Sequence, residues 1–171
     1  VASFDVAFNW TMNFEDPERQ YAIVPDAPPG AHALSGINSA SFPQDFERIA
    51  ALDPAERPAA VKSFYQLRFW SPWFNQVLSD EVAKRAFDAE FNMGEGTGVK
   101  LLQTAVENVS GVSLGIDGVW GPATLHGANS CNPDMLAAAF RSVRSQHYRD
   151  IVLKNPADAK YLANWLARAG K

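Results

Sequence analysis

The chain has 171 residues, the size of one domain or of one domain with a small lobe. Its 47% hydrophobic and 12% aromatic content supplies a real core and excludes a disordered chain. A net charge of -4 and a pI near 5.3 argue against a nucleic-acid partner held through phosphate neutralisation. Cys131 is the single cysteine, so there is no internal disulfide, and no apolar run is long enough to span a bilayer. No signal peptide is visible: Val1 to Asp5 lacks a basic region and an apolar core. Export would then use another route or follow removal of a signal.

Phe4 to Glu15 predicts a short amphipathic helix with Ser3 as its N-cap. Phe4, Phe8, Thr11 and Glu15 share one face, and Asp16-Pro17 ends the helix. Glu15 therefore sits at the C-terminal end of the inward stripe. The helix macrodipole and partial burial beside Phe8 and Phe14 should raise its pKa, the property a general acid needs. The plainer alternative is a solvated carboxylate at a frayed helix end.

The proline-rich stretch that follows is unsuited to a helix; Tyr21 to Val24 predicts a short edge strand and Gly30 to Gly36 a loop or second strand. Pro43 to Leu52 predicts a helix. Asp53-Pro54-Ala55-Glu56 reads as the start of another, running to Trp70, and Ser71-Pro72 breaks it. Ser79 should cap a helix with Val82, Ala83, Ala86, Phe87, Glu90 and Phe91 inward and Gly94 at its end. Gly94 to Gly98 reads as a tight turn, and Thr97 to Val109 as a helix. A glycine-punctuated turn precedes a short helix at Gly121-Pro122. Asn132-Pro133 opens the longest helix, with Leu136, Phe140, Val143, His147 and Ile151 on one face, and Asn155-Pro156 ends it before a last helix around Trp165.

Several segments, taken in order, resemble glycoside hydrolase family 108, the lysozyme-like N-acetylmuramidases. Phe4 to Glu15 looks like that family's helix ending in a glutamate. Gly30-Ala31-His32-Ala33-Leu34-Ser35-Gly36-Ile37 is similar to its Gly-Gly-x-Thr-x-x-Gly-Ile loop. Phe87 to Gly94 resembles its Phe-Asp-x-x-x-Asn-x-Gly helix end. Asp117-Gly118-Val119-Trp120-Gly121-Pro122-Ala123-Thr124 resembles its C-terminal peptidoglycan-binding signature, and Tyr161 to Arg168 its closing helix. The departures are Asp16 and Pro17 in place of two glycines, Ala33 in place of the threonine, and Ser35 in place of an aromatic. Aligned backwards from Gly30, Glu18 rather than Glu15 meets the glutamate; aligned forwards from Phe4, Glu15 does.

The resemblance implies a mainly α, lysozyme-like (α+β) fold with a small N-terminal β-hairpin lobe over a helical body. Residues 1–93 would form the catalytic part, and residues 94–171 a peptidoglycan-binding part packed with it as one globular unit. It implies a bacterial cell-wall hydrolase, as in endolysins. Such an enzyme would cleave the β-1,4 bond between N-acetylmuramic acid and N-acetylglucosamine, with Glu15 as acid and Asp26 as second carboxylate. The alternative for Asp26 is a turn residue between prolines. Tyr21, His32, Ser35 and Asn92 are the candidate substrate contacts, and Trp70, Trp73 and Trp120 are further aromatics suited to a sugar cleft. No metal site or cofactor is expected, since His32, His126 and His147 lack ligand spacing. Peptidoglycan is the expected partner, the chain is expected to be a monomer, and its place of action is the periplasm or outside the cell. A catalytically weak or inactive lysozyme-like protein that binds peptidoglycan or a partner is the competing reading.

Overall fold

The computed structural model describes residues 1–171. Eight α-helices and one three-stranded antiparallel sheet make the chain mainly α with a small β element, the lysozyme-like class expected. By their contacts the residues form two compact units, Phe4–Trp70 and Ser71–Lys171 with Val1–Ser3. No helix is long and apolar enough to cross a membrane.

In the first unit, α1 (Phe4–Glu15) buries Ala7, Phe8, Thr11 and Met12; of the expected stripe Phe8 and Thr11 are buried, while Phe4 and Glu15 are half-buried. The sheet orders β1 (Ile23–Asp26), β2 (Ala31–Leu34) and β3 (Ile37–Asn38) in sequence. Strand β1 thus lies two residues later than Tyr21–Val24, because Tyr21 adopts a φ of +50° that no strand residue holds. The expected hairpin gains a third strand through a two-residue turn, Ser35-Gly36, with Leu34 paired to Ile37. Helix α2 (Pro43–Ala50) buries Ile49.

Helix α3 (Arg57–Phe69) starts later than the Asp53-Pro54 signal suggested. In a helix begun at Pro54, residue 58 would have to donate to the carbonyl of residue 54, and Pro58 has no N–H. Asp53 to Glu56 forms a turn instead, with the Glu56 N–H on the Asp53 carbonyl at 2.8 Å, and Pro58 falls in the first helical turn. Phe64 and Tyr65 of α3 are buried; Phe8 meets the Tyr65 ring edge-on at a centroid distance of 5.4 Å, and Phe42 meets Phe64 at 5.2 Å.

The second unit contains α4 (Asp80–Met93), α5 (Glu95–Ser110), α6 (Pro122–Ser130), α7 (Pro133–Lys154) and α8 (Leu162–Ala169). Ser79 stands at the N-cap of α4 without a side-chain hydrogen bond, while the Asp80 carboxylate accepts the N–H of Ser3 at 2.7 Å. The expected turn over Gly94–Gly98 is already helix. Gly94, at φ +85°, makes the whole reversal, and Gly98 lets α5 approach α4 so closely that a Cβ there would lie 2.6 Å from Glu90 Cγ. Asn132 caps α7 by accepting the N–H groups of Asp134 and Met135.

The inward face of α7 also differs from expectation. Leu136, Ala137, Phe140, Arg144 and Tyr148 are buried, whereas Val143, His147 and Ile151 are half-buried. The cause is Asp88 on α4, which is fully buried. Arg144 Nη1 lies 2.7 Å from its Oδ2, and Arg168 donates to both oxygens at 3.0 and 2.7 Å. Burial alone would raise the Asp88 pKa; the two guanidinium groups outweigh it and hold the carboxyl below its ordinary value. Tyr148 accepts from Arg144 and donates to Asn92 Oδ1 at 2.7 Å. Trp120, expected near a sugar cleft, is buried against Phe74, with its indole N–H on Glu90 Oε1 at 2.7 Å.

Two stability measurements test this core. Asp88→Ala leaves Arg144 buried without its charge partner and should cost about 3–5 kcal/mol, read from the urea midpoint. Burial raises the Glu90 pKa well above 4.5, the charge of Glu95 adds to this, and the Trp120 bond only partly opposes it. Its contribution is therefore full below pH 4.5 and is lost as the pH rises through the native value. Glu90→Gln keeps an acceptor for Trp120 without the titration. Its Tm should exceed that of the wild type at neutral pH and converge with it below pH 4.5.

Candidate functional site

Glu15 is the last residue of α1, and the chain turns away immediately after it. Arg19 secures this end: its guanidinium donates to the carbonyls of Met12 at 2.6 Å and Asp16 at 2.7 Å, and to Asn9 and Asn13. The guanidinium thus ties the last two turns of α1 to the segment that follows it. The Glu15 side chain then meets the Ser35-Gly36 turn. A Cβ on Gly36 would lie 2.8 Å from Glu15 Oε2, 3.0 Å from its Cγ and 2.6 Å from Tyr65 Oη. The half-buried carboxylate, the Tyr65 hydroxyl and the Gly36 backbone therefore share one spot within the first unit.

The turn itself is a tight hairpin of the primed type, with φ of +47° at Ser35 and +82° at Gly36. Glycine accepts this conformation; a serine needs support. Ser35 is buried and its hydroxyl donates to Asp16 Oδ2 at 2.8 Å, while its carbonyl accepts the Tyr65 hydroxyl at 2.9 Å. Asp16 also accepts the N–H groups of Gln20 at 3.0 Å and Tyr21 at 2.7 Å. Burial would raise the Asp16 pKa, but these hydrogen bonds and the charge of Arg19 bring it below its ordinary value. Two of the family departures, Asp16 and Ser35, are thus hydrogen-bonded to each other.

The remaining candidates have different surroundings. Glu18 is exposed and accepts from Gln20 Nε2 at 2.6 Å. Asp26 is exposed at the end of β1, with one oxygen accepting the Ala27 N–H and the other Asn38 Nδ2 at 2.6 Å. His32 is on the exposed side of β2, its N–H donating to Ser39 Oγ at 2.9 Å. Ala33 is buried beside it. Tyr21 is half-buried, and Arg57 donates to its carbonyl at 3.3 Å. Asn92 belongs to the second unit, where Tyr148 engages its side chain. Neither Tyr65 nor Arg19 carries a local sequence signal that would place it at this site. The Ser35-Gly36 pair between Leu34 and Ile37 carried the usual signal for a two-residue hairpin turn.

Residues 97–170 match the family model described as a predicted peptidoglycan domain. The structure of SagA from Brucella abortus is similar in fold, with a TM-score of 0.61 and 19% sequence identity over 97% of this chain and 92% of that one. Among curated proteins none matches the chain in sequence. The C-terminal match associates the chain with peptidoglycan and the cell wall.

Gly36→Ala should cost about 1–3 kcal/mol from backbone strain and a similar amount from crowding against Tyr65 and Glu15. Gly30→Ala carries the strain of φ +90° with nothing within 4 Å, so its Tm should fall less.

Proposed function

We propose that the chain is an N-acetylmuramidase of the family 108 type, with Glu15 as the general acid. The observation that supports this most is the seating of the Glu15 carboxylate against Gly36 and the Tyr65 hydroxyl, at the end of a helix secured by Arg19. A rigid scaffold around one carboxyl group is what proton transfer to a bound glycosidic oxygen requires. Glu18, exposed on the loop, lacks such a seat.

The acid form of Glu15 gives its proton to the oxygen joining N-acetylmuramic acid to N-acetylglucosamine as the bond to the anomeric carbon breaks. Positive charge develops on that carbon, and Asp26 serves as the carboxylate that stabilises it or activates the water. Water supplies hydroxyl to the anomeric carbon, leaving a reducing end, and its proton restores the acid. Capture by the sugar's own 6-hydroxyl would instead give a 1,6-anhydro product, the lytic transglycosylase outcome. Catalysis is assigned to residues 1–93 and peptidoglycan binding to residues 94–171, with action in the periplasm or outside the cell.

A second reading is favoured by one specific feature. The position of the family's loop threonine is Ala33, buried in β2 and without a hydroxyl. A lysozyme-like protein that binds peptidoglycan with little or no cleavage is the consequence of that loss. Release of soluble muropeptides from purified peptidoglycan, followed by mass spectrometry, separates the two. Glu15→Gln should lower release by about 10²–10⁴-fold, the usual range for losing an acid–base group, while Glu18→Gln leaves it near wild type. No release by the wild type, with retention on the same peptidoglycan, would establish the binding protein.

A further inference from the structure

Helices α5 and α7 leave an open groove of about 450 Å³ between them, wholly inside residues 97–170. Its apolar lining is Leu101, which is buried, and Val143, which is half-buried. Its walls are polar and come from helical repeats of one face: Thr104 and Asn108 on α5, Ser142, Gln146 and Asp150 on α7. Polar residues at this spacing would ordinarily be a solvated helix surface. Here they face each other across a depression, and His147, expected in the core, stands at its edge.

The chemistry of the lining narrows the ligand. Asn108 and Ser142 are exposed and His147 is half-buried, so their polar side chains are open to a guest. Gln146 is oriented by its bond to Asp150 Oδ1 at 2.8 Å. Burial keeps the His147 ring neutral at pH 7, so it offers one donor and one acceptor. Sugar hydroxyl and acetamido groups also donate and accept, and their C–H faces suit an apolar lining. The groove contains no lysine or arginine, and its one carboxylate disfavours an anionic guest. The stem peptides and lactyl groups of peptidoglycan carry carboxylates; its N-acetylglucosamine units do not.

We propose that the α5–α7 groove is a glycan-strand subsite that binds N-acetylglucosamine units of peptidoglycan through Asn108, Ser142 and His147. The proposal rests on the peptidoglycan reading above but does not require Glu15 to be an acid. Other neutral polymers of the same sugar share this chemistry, so a soluble oligomer of N-acetylglucosamine serves as the probe.

The test titrates the full-length chain with the N-acetylglucosamine tetramer, following backbone amide NMR shifts, and measures retention on purified peptidoglycan. Shifts should concentrate at residues 101–108 and 142–150. Asn108→Ala with His147→Ala should weaken tetramer binding at least tenfold and reduce retention, with Tm unchanged. Shifts confined to residues 30–37, or equal affinity in the double variant, would overturn the subsite. So would absence of tetramer binding by the wild type; muropeptide release would then judge the muramidase reading separately. The NMR map needs no substitution and stands if the double variant fails to fold.

Discussion

The left-handed pair Ser35-Gly36 is the constraint on which the N-terminal unit depends. Two consecutive residues at positive φ reverse the chain from β2 to β3 in the least possible length. That reversal brings a backbone with no Cβ against the Glu15 carboxylate and the Tyr65 hydroxyl. Any other residue at position 36 would occupy the volume those groups use. The turn thus sets both the strand register and the place of the carboxylate.

Asp16 and Ser35 show how a site accommodates unusual residues in pairs. A serine at φ +47° is strained, and an aspartate at the end of a helix faces the negative end of its dipole. Each relieves the other, since the serine hydroxyl donates to the aspartate and anchors the turn to the segment after α1. Asp16 further gathers the N–H groups of Gln20 and Tyr21, so one carboxylate organises the whole exit from the helix. Its cost is conformational freedom in a region where proline and an arginine cap have already removed much of it.

In the other unit, α4 carries two buried carboxylates whose pKa values are shifted in opposite directions. Asp88 has two arginines, which lower its value; Glu90, two residues on, has an indole N–H and a helix packed against it, and burial raises its value. Successive positions on a helix differ by about 100°, so Asp88 and Glu90 face different neighbours. Arg144, buried on α7, pairs with Asp88, while Val143 and His147 are half-buried and line the polar groove beside α5.

Much of the helical architecture was legible in the sequence because it is written in local signals. Apolar spacing marks α1, Asn132-Pro133 marks the start of α7, and Gly94 marks the end of α4. These depend on residues within a turn or two of one another, where sterics and backbone hydrogen bonding act directly. Asp53-Pro54 was an equally local signal, yet it marks a turn before α3, and Pro58 falls in the first helical turn. Glu15 could be assigned to a helix end and to an inward face, but its companions could not. Tyr65 lies fifty residues away, and nothing near it distinguishes a core tyrosine from one whose hydroxyl holds a turn. The Asp16–Ser35 bond and the Asp88–Arg144–Arg168 cluster are pairings between distant segments. Tertiary structure decided them, because the energy that selects a buried charge's partner exists only once the chain has closed around it.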